Sequence, residues 1–290
     1  MSLRDQEDAT FRLPVTLPRR QASETTQRLP SAQQFQEPTR NVARQTLIKV
    51  PEITLFFWVI KLLTTALGEA TSDYLVHRLD PIIAVALGGI AFASALALQL
   101  LVRRYVAGVY WLAVVMVALF GTMAADVVHI VLGVPYAIST VAFALALAGI
   151  FAVWYRTEGT LSIHSIFTPR REWFYWATII ATFALGTAAG DMTAYTFGLG
   201  YLPSAVLFIA LFAIPAVGYW LFGLNAIVAF WIAYILTRPI GASFADWTGK
   251  AHSAGGLGIG AGKVSLLLAA VIISLVGYLT ITRRDVQPHS

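Results

Sequence analysis

The sequence predicts an all-α integral membrane protein in which eight transmembrane helices form four parallel two-helix repeats, related by pseudo-symmetry about the membrane normal. Three observations lead there: the composition, the number of long apolar segments, and one motif that recurs four times. Of the 290 residues, 58% are hydrophobic and 12% charged, and the mean hydropathy is +0.71. A soluble domain carries about 25% charged residues, so a water-soluble fold is excluded. The net charge of +5 does not point to nucleic acid, because the basic residues sit between apolar segments rather than on one face. The chain has no cysteine, which removes disulfides, thiolate metal sites and cysteine nucleophiles.

Residues 1–46 are of another character, rich in Gln, Thr, Arg, Pro and Glu with almost no aliphatic runs. Such a stretch cannot bury enough apolar area to offset its ordering entropy, and it reads as a disordered cytoplasmic tail. No short apolar core follows a basic start, so it is not a signal peptide. From Val50 onward, eight segments reach the roughly 20 residues needed to cross a bilayer. They run over 52–74, 82–102, 107–130, 134–155, 172–195, 202–222, 225–247 and 264–281.

Orientation follows from the basic residues. With a cytoplasmic N-terminus, 15 of the 20 Lys and Arg lie inside, Arg78, Lys250 and Lys263 lie outside, and Lys61 and Arg238 fall within spans. Both termini are then cytoplasmic. In a bacterium, the membrane is the inner one.

Four segments align without gaps: Phe57–Asp73, Tyr110–Asp126, Tyr175–Asp191 and Phe230–Asp246. Each has an aromatic residue, a tryptophan (Trp58, Trp111, Trp176, Trp231), nine residues, a glycine (Gly68, Gly121, Gly186, Gly241), a Glu, Thr or Ala, three residues and an aspartate. Three copies also place a threonine six residues after the Trp: Thr64, Thr182 and Thr237. Each copy opens a two-span unit, giving repeats over 47–106, 107–171, 172–222 and 223–290. An even number of spans per unit keeps all four copies in one orientation. Four motif helices near a common axis, backed by four lipid-facing helices, is the expected architecture.

Residues 49–75, KVPEITLFFWVIKLLTTALGEATSDYL, resemble a bacterial membrane-protein family built from a fourfold repeat of unknown function, each unit holding two membrane stretches and a tryptophan. The resemblance extends from residue 49 to about residue 282. It implies the eight-span fold and no particular substrate.

Five carboxylates lie in or at the ends of spans: Glu69, Asp73, Asp126, Asp191 and Asp246. A charge at the bilayer centre costs roughly 2.5–3.5 kcal/mol, so these groups must face protein or water. Residues 11 and 15 after each Trp are four apart, hence on one helical face. That face holds Glu69 with Asp73, Thr122 with Asp126, and Thr187 with Asp191. Brought together by symmetry, they would form a ring of oxygen ligands at one depth, suited to a hard cation. Asp73, Asp126, Asp191 and Asp246 are the candidate metal ligands. His77 and His129 follow Asp73 and Asp126 closely enough to join them, although each also reads as an interfacial loop residue. A purely structural reading of each Asp is a cap for a following turn.

The glycines read as sites of close helix approach, or as hinges near the acids. The tryptophans read as interfacial anchors or packing wedges. Lys61 and Arg238, the latter followed by Pro239, are candidate counter-ions that a moving cation or proton displaces; fixed salt bridges are the alternative. GLGIGAGK, residues 256–263, lacks the spacing of a phosphate loop and reads as a flexible loop. Gly190–Asp191 resembles half of an intramembrane aspartyl protease signature, but the second half is absent, and no enzyme is expected.

Together these features lead to a secondary transporter, a proton-coupled exporter of a hard cation with a Mn2+-like divalent ion favoured. No cofactor is expected beyond the transported cation and protons. The partners are the lipid bilayer and a small inorganic cation, with no nucleic acid and with room for a homo-oligomer. The alternative is a membrane-embedded sensor or assembly factor whose tail binds a soluble cytoplasmic partner, the acids then being structural.

Overall fold

In the computed structural model the described residues are 48–286; the tail expected over 1–46 lies outside them. Among the described residues there are eight long helices and no strand. They are α1 (Leu55–Arg78), α2 (Pro81–Leu101), α3 (Ala107–Asp126), α4 (Tyr136–Glu158), α5 (Pro169–Asp191), α6 (Tyr201–Phe222), α7 (Ala226–Gly249) and α8 (Ala261–Thr282). Local chemistry sets their starts. Thr54 accepts the Phe57 amide at the head of α1, and Asp80 accepts the amides of Ile82 and Ile83 beside Pro81. Thr168 with Pro169, and Asn225, do the same for α5 and α7. A side-chain oxygen satisfies an orphan amide of the first turn, and proline there loses no hydrogen bond.

All of these helices except α1 and α5 are long and apolar enough to cross a membrane. The other two carry the densest polar content: Lys61, Glu69 and Asp73 in α1, and Arg170, Arg171, Glu172 and Asp191 in α5. Burial divides the spanning helices sharply. In α3 and α7, 56% and 61% of the apolar window is buried, whereas α2, α4, α6 and α8 bury only 17–22%. Ile82, Leu101, Leu145, Phe222, Leu266 and Ile281 are among the large apolar side chains these four leave uncovered.

The buried set is also the motif set. Helix α1 packs on α3, α3 on α5, α5 on α7, and α7 back on α1. Around them α2 packs on α3, α4 on α5, α6 on α7, and α8 on α1, with α8 also touching α7 and α3. Each apolar outer helix thus packs extensively on the motif helix of the following repeat.

The repeated glycines explain how four helices come this close. A Cβ on Gly68 would lie 2.5 Å from the Ala118 side chain, and one on Gly121 would lie 2.9 Å from that of Phe183. On Gly186 it would meet Arg238 at 2.6 Å, and on Gly241 the Thr65 hydroxyl at 2.0 Å. Thr65, Ala118, Phe183 and Arg238 are the residues seven after the four tryptophans. Every repeat glycine therefore receives the seventh residue of the next motif helix, and the last receives that of the first. Small residues at such crossings let backbones approach and gain dispersion contacts.

Three of the four tryptophans are packed as wedges within the bundle. Trp111, Trp176 and Trp231 are buried, and the half-buried Trp58 lies edge-on to Phe212. One expected helix end changes: α1 continues past residue 74 to Arg78, whereas α3 and α5 pass directly into π-helical turns, Val127–Val131 and Met192–Thr196, that end close to the expected 130 and 195. Asp73, Asp126 and Asp191 thus lie within continuous backbone rather than capping a turn.

The segment read as a flexible loop is pinned instead. The amides of Leu257, Gly258, Ile259 and Gly260 donate to the carbonyls of Trp247, Lys250, Thr248 and Gly249. These bonds satisfy carbonyls at the end of α7 that a helix leaves unpaired, and they fix the backbone of Lys250.

Gly241→Val should lower the thermal unfolding temperature of the detergent-solubilised protein, because the added group also faces the Ala66 backbone nitrogen at 2.8 Å. Overpacking of this kind costs about 1–3 kcal/mol or more. Gly149→Ala in α4, where nothing lies within 4 Å, should leave the unfolding temperature unchanged or raise it.

Candidate functional site

Arg238 stands at the centre of the motif helices, 1% exposed. Its Nη2 donates to Glu69 Oε2 at 2.6 Å, to Thr122 Oγ1 at 2.6 Å and to Thr187 Oγ1 at 2.8 Å. Glu69, Thr122 and Thr187 are the eleventh residues of copies one to three, so a side chain of the fourth copy joins the other three. The two threonines are prepared as acceptors. Thr122 gives its proton to the Ala118 carbonyl and Thr187 to that of Phe183, which leaves lone pairs facing Arg238. These hydroxyls, expected among the cation ligands, are thus engaged by a guanidinium. Nε and Nη1 of Arg238 are buried without a hydrogen-bond partner.

Lys61 lies deeper towards the Trp end and is equally buried. Among the described residues it makes no ion pair; its ammonium sits 4.1 Å from the Phe183 ring centre and 4.3 Å from that of Tyr234. Arg238 approaches the same Phe183 ring at 5.7 Å. An aromatic ring close to both basic side chains offsets part of their desolvation through its quadrupole. The recurring threonines Thr64, Thr182 and Thr237 donate to carbonyls three residues back, and are satisfied within their own helices. Beyond Lys61 the space between the helices is filled. Phe57, Tyr110, Tyr175 and Tyr234 are buried there, and the hydroxyls of Tyr110 and Tyr175 are 2.5 Å apart.

At the opposite end the acids gather, in two sets rather than one ring. Ligand atoms of Glu69, Asp73 and Asp246 lie within 4.8 Å of one another, and so do those of Asp126, His129 and Asp191. The first set holds the cations: besides Arg238 on Glu69, Lys250 Nζ lies 3.1 Å from Asp246 and 3.6 Å from Asp73. Burial works against the Lys250 charge, but Asp246 and Asp73 outweigh it and hold its pKa above the usual lysine value. Lys250 also donates to the Tyr195 hydroxyl at 3.3 Å. Among the described residues, the second set makes no ion pair with Lys or Arg.

Of the two histidines, His129 enters the π turn after Asp126 and joins the second set. His77 stays in the last turn of α1, its Nδ1 2.6 Å from the Asp73 carbonyl, outside both sets. An open cavity of about 1080 Å3 reaches Asp73 and Lys250, with Thr71, His77, Tyr195 and Tyr201 along its wall.

Lys250 escaped the sequence reading, which placed it in an outer loop. The available signal was its position four after Asp246, the spacing of a helical ion pair. Ser139 and Tyr195 carry no repeat signature, and nothing in the sequence marks them.

Apolar spanning helices around a buried polar cluster define a multi-pass helical membrane protein. The profile of a Repeat of Unknown Function, DUF347, matches four times, over residues 56–105, 109–160, 174–223 and 229–285, and the chain belongs to this family. No curated protein and no solved structure matches it.

Removing one partner of a buried pair strands the other charge, at a cost of about 3–5 kcal/mol. Glu69→Leu should therefore destabilise the protein strongly in denaturant titrations in detergent. Glu69→Leu combined with Arg238→Met should recover most of the loss, because two apolar groups leave no charge behind.

Proposed function

We propose that this protein is a secondary transporter of a hard cation, with a Mn2+-like divalent ion favoured, exchanged against protons through the carboxylates of the motif helices. One observation carries the reading: five carboxylates come together in the bundle with two cations in contact, Arg238 and Lys250. The carboxylates outnumber these two cations by three, and still outnumber the cations of the bundle by two when Lys61 is included. Burying them uncompensated is prohibitive, so protons or a bound cation complete the site. Because protons and a metal ion compete for the same oxygens, binding one releases the other, which is the requirement for exchange.

The rest of the architecture supports a carrier more than an open pore. The cavity beside Asp73 and Lys250 gives access from the acid end, and the buried aromatic layer closes the Trp end. A pathway blocked on one side of its site is what alternating access needs. In this reading α1 and α5 also span the bilayer, their polar groups turned to the bundle interior. The four repeats are then parallel units about the membrane normal, a reading supported by the cyclic contact of each glycine with the next helix. The distribution of Lys and Arg favours cytoplasmic termini, and so places the acid end on the outer side of a bacterial inner membrane.

Whole-cell metal content, measured by mass spectrometry over a panel of added ions, tests the proposal. Cells expressing the wild type should hold less of one cation than empty-vector cells. Asp126→Asn and Asp191→Asn, at matched membrane levels, should restore it. If no cation changes, or if both variants behave as wild type, the acids are not a transport site.

A further inference from the structure

We infer that Asp126, His129 and Asp191 form a discrete mixed nitrogen–oxygen site for a divalent transition metal such as Mn2+, Fe2+, Co2+ or Zn2+, separate from the Glu69–Asp73–Asp246 set. The inference rests on the transporter reading and names the class of cation that its site takes.

The first ground is the state of His129, which is 8% exposed. Its Nε2 lies 2.7 Å from the Ser139 hydroxyl. That hydroxyl has one proton, directed to the carbonyl of Tyr136 at 3.0 Å or of Pro135 at 3.3 Å. The proposed site takes Ser139 as the acceptor and His129 Nε2 as the donor, the tautomer in which the serine proton stays on its own helix. Nδ1 is left with a bare lone pair, buried and without a hydrogen-bond partner. A neutral imidazole with one N–H held by a second group and the other nitrogen free is in the state a metal ligand requires.

The second ground is placement. The π turn Val127–Val131 follows Asp126 directly and contains His129. Such turns insert an extra residue into a helix, and they concentrate at functional positions. Asp191 is likewise followed by a π turn, but the residue three after it is Ala194, as Val76 follows Asp73 and Gly249 follows Asp246. The second copy alone supplies an imidazole at this spacing. One ligand atom from each of Asp126, His129 and Asp191 lies within 4.8 Å of the other two. Ligands about 2.1 Å from a common ion sit roughly 3–3.5 Å apart, so rotation of the carboxylates closes the set.

The third ground is contrast. The Glu69 set offers oxygens alone and is already met by Arg238 and Lys250. One imidazole with two carboxylates favours first-row transition metals over Mg2+ and Ca2+, which prefer oxygen throughout. Three protein ligands also leave coordination positions to water, which a site that must release its ion needs.

The test uses the full chain, purified in detergent without a polyhistidine tag, stripped of metal and titrated with Mn2+ alone. Electron paramagnetic resonance should show saturable uptake of one Mn2+ per chain, with nitrogen modulation from one imidazole in the pulsed spectrum. His129→Gln should abolish that modulation and weaken binding. Ser139→Ala should keep it and weaken binding by about tenfold to hundredfold, as loss of an outer-shell partner does. Asp73→Asn should keep the modulation, and a large excess of Mg2+ should not displace the bound Mn2+.

Wild type without saturable Mn2+, bound Mn2+ without nitrogen modulation, or displacement by Mg2+ would each overturn the site. Should cellular cation content respond to Asp126→Asn while purified protein shows no nitrogen coupling, this inference fails and the transporter reading stands. Nitrogen-coupled binding with no cellular response leaves the metal site standing and removes transport.

Discussion

A single guanidinium sets the terms for the centre of this protein. Arg238 occupies the level at which the four motif helices carry their eleventh residues, and it binds one from each of the other three copies. Four identical polar residues around such a crossing would face like against like, with nothing to neutralise or satisfy them. The departures from the repeat resolve this. The fourth copy supplies the cation, the first the carboxylate, and the second and third supply hydroxyls whose protons are already directed to their own backbones. The copies are unequal where the axis needs complementary groups, and equal where it needs the same one.

The equal positions are the glycines. Each accepts the side chain at position seven of the next helix, at distances that no other residue would permit. This close approach brings the Arg238 side chain to the Thr187 hydroxyl and sets the Phe183 ring close to both Lys61 and Arg238. Packing and electrostatics are inseparable here, since the helix spacing fixed by glycine is the spacing over which the guanidinium reaches its partners.

Much of this was legible in one dimension because repetition converts spacing into geometry. The glycines, tryptophans, aspartates and the threonine register each announced themselves by recurring, and each lies in the buried motif helices. What escaped were the interactions that break the pattern. Lys250 lies beyond the last motif aspartate, and its role depends on the loop that folds back onto α7. The division of the acids into two sets follows from where Arg238 and Lys250 come to rest, which no single-chain periodicity encodes. Ser139 meets the His129 ring from a different helix, ten residues away along the chain. The tryptophans were legible only as a choice, since an aromatic near the end of a span serves as an interfacial anchor or as a packing wedge; burial of three of them favours the wedge.

The distance in sequence between Glu69 and Arg238, 169 residues, has a consequence for how the protein is made. A ribosome adding about 5–20 residues per second delivers α7 roughly 10–30 s after α1 has been synthesised. For that interval α1 holds Lys61, Glu69 and Asp73 with no guanidinium beside the carboxylates, and it is one of the two helices whose composition alone does not mark them as membrane-spanning. On that order of synthesis, the Glu69 carboxylate meets its guanidinium only once the last motif helix has been made. Assembly order, not only final energy, is written into the placement of one arginine at the far end of the chain.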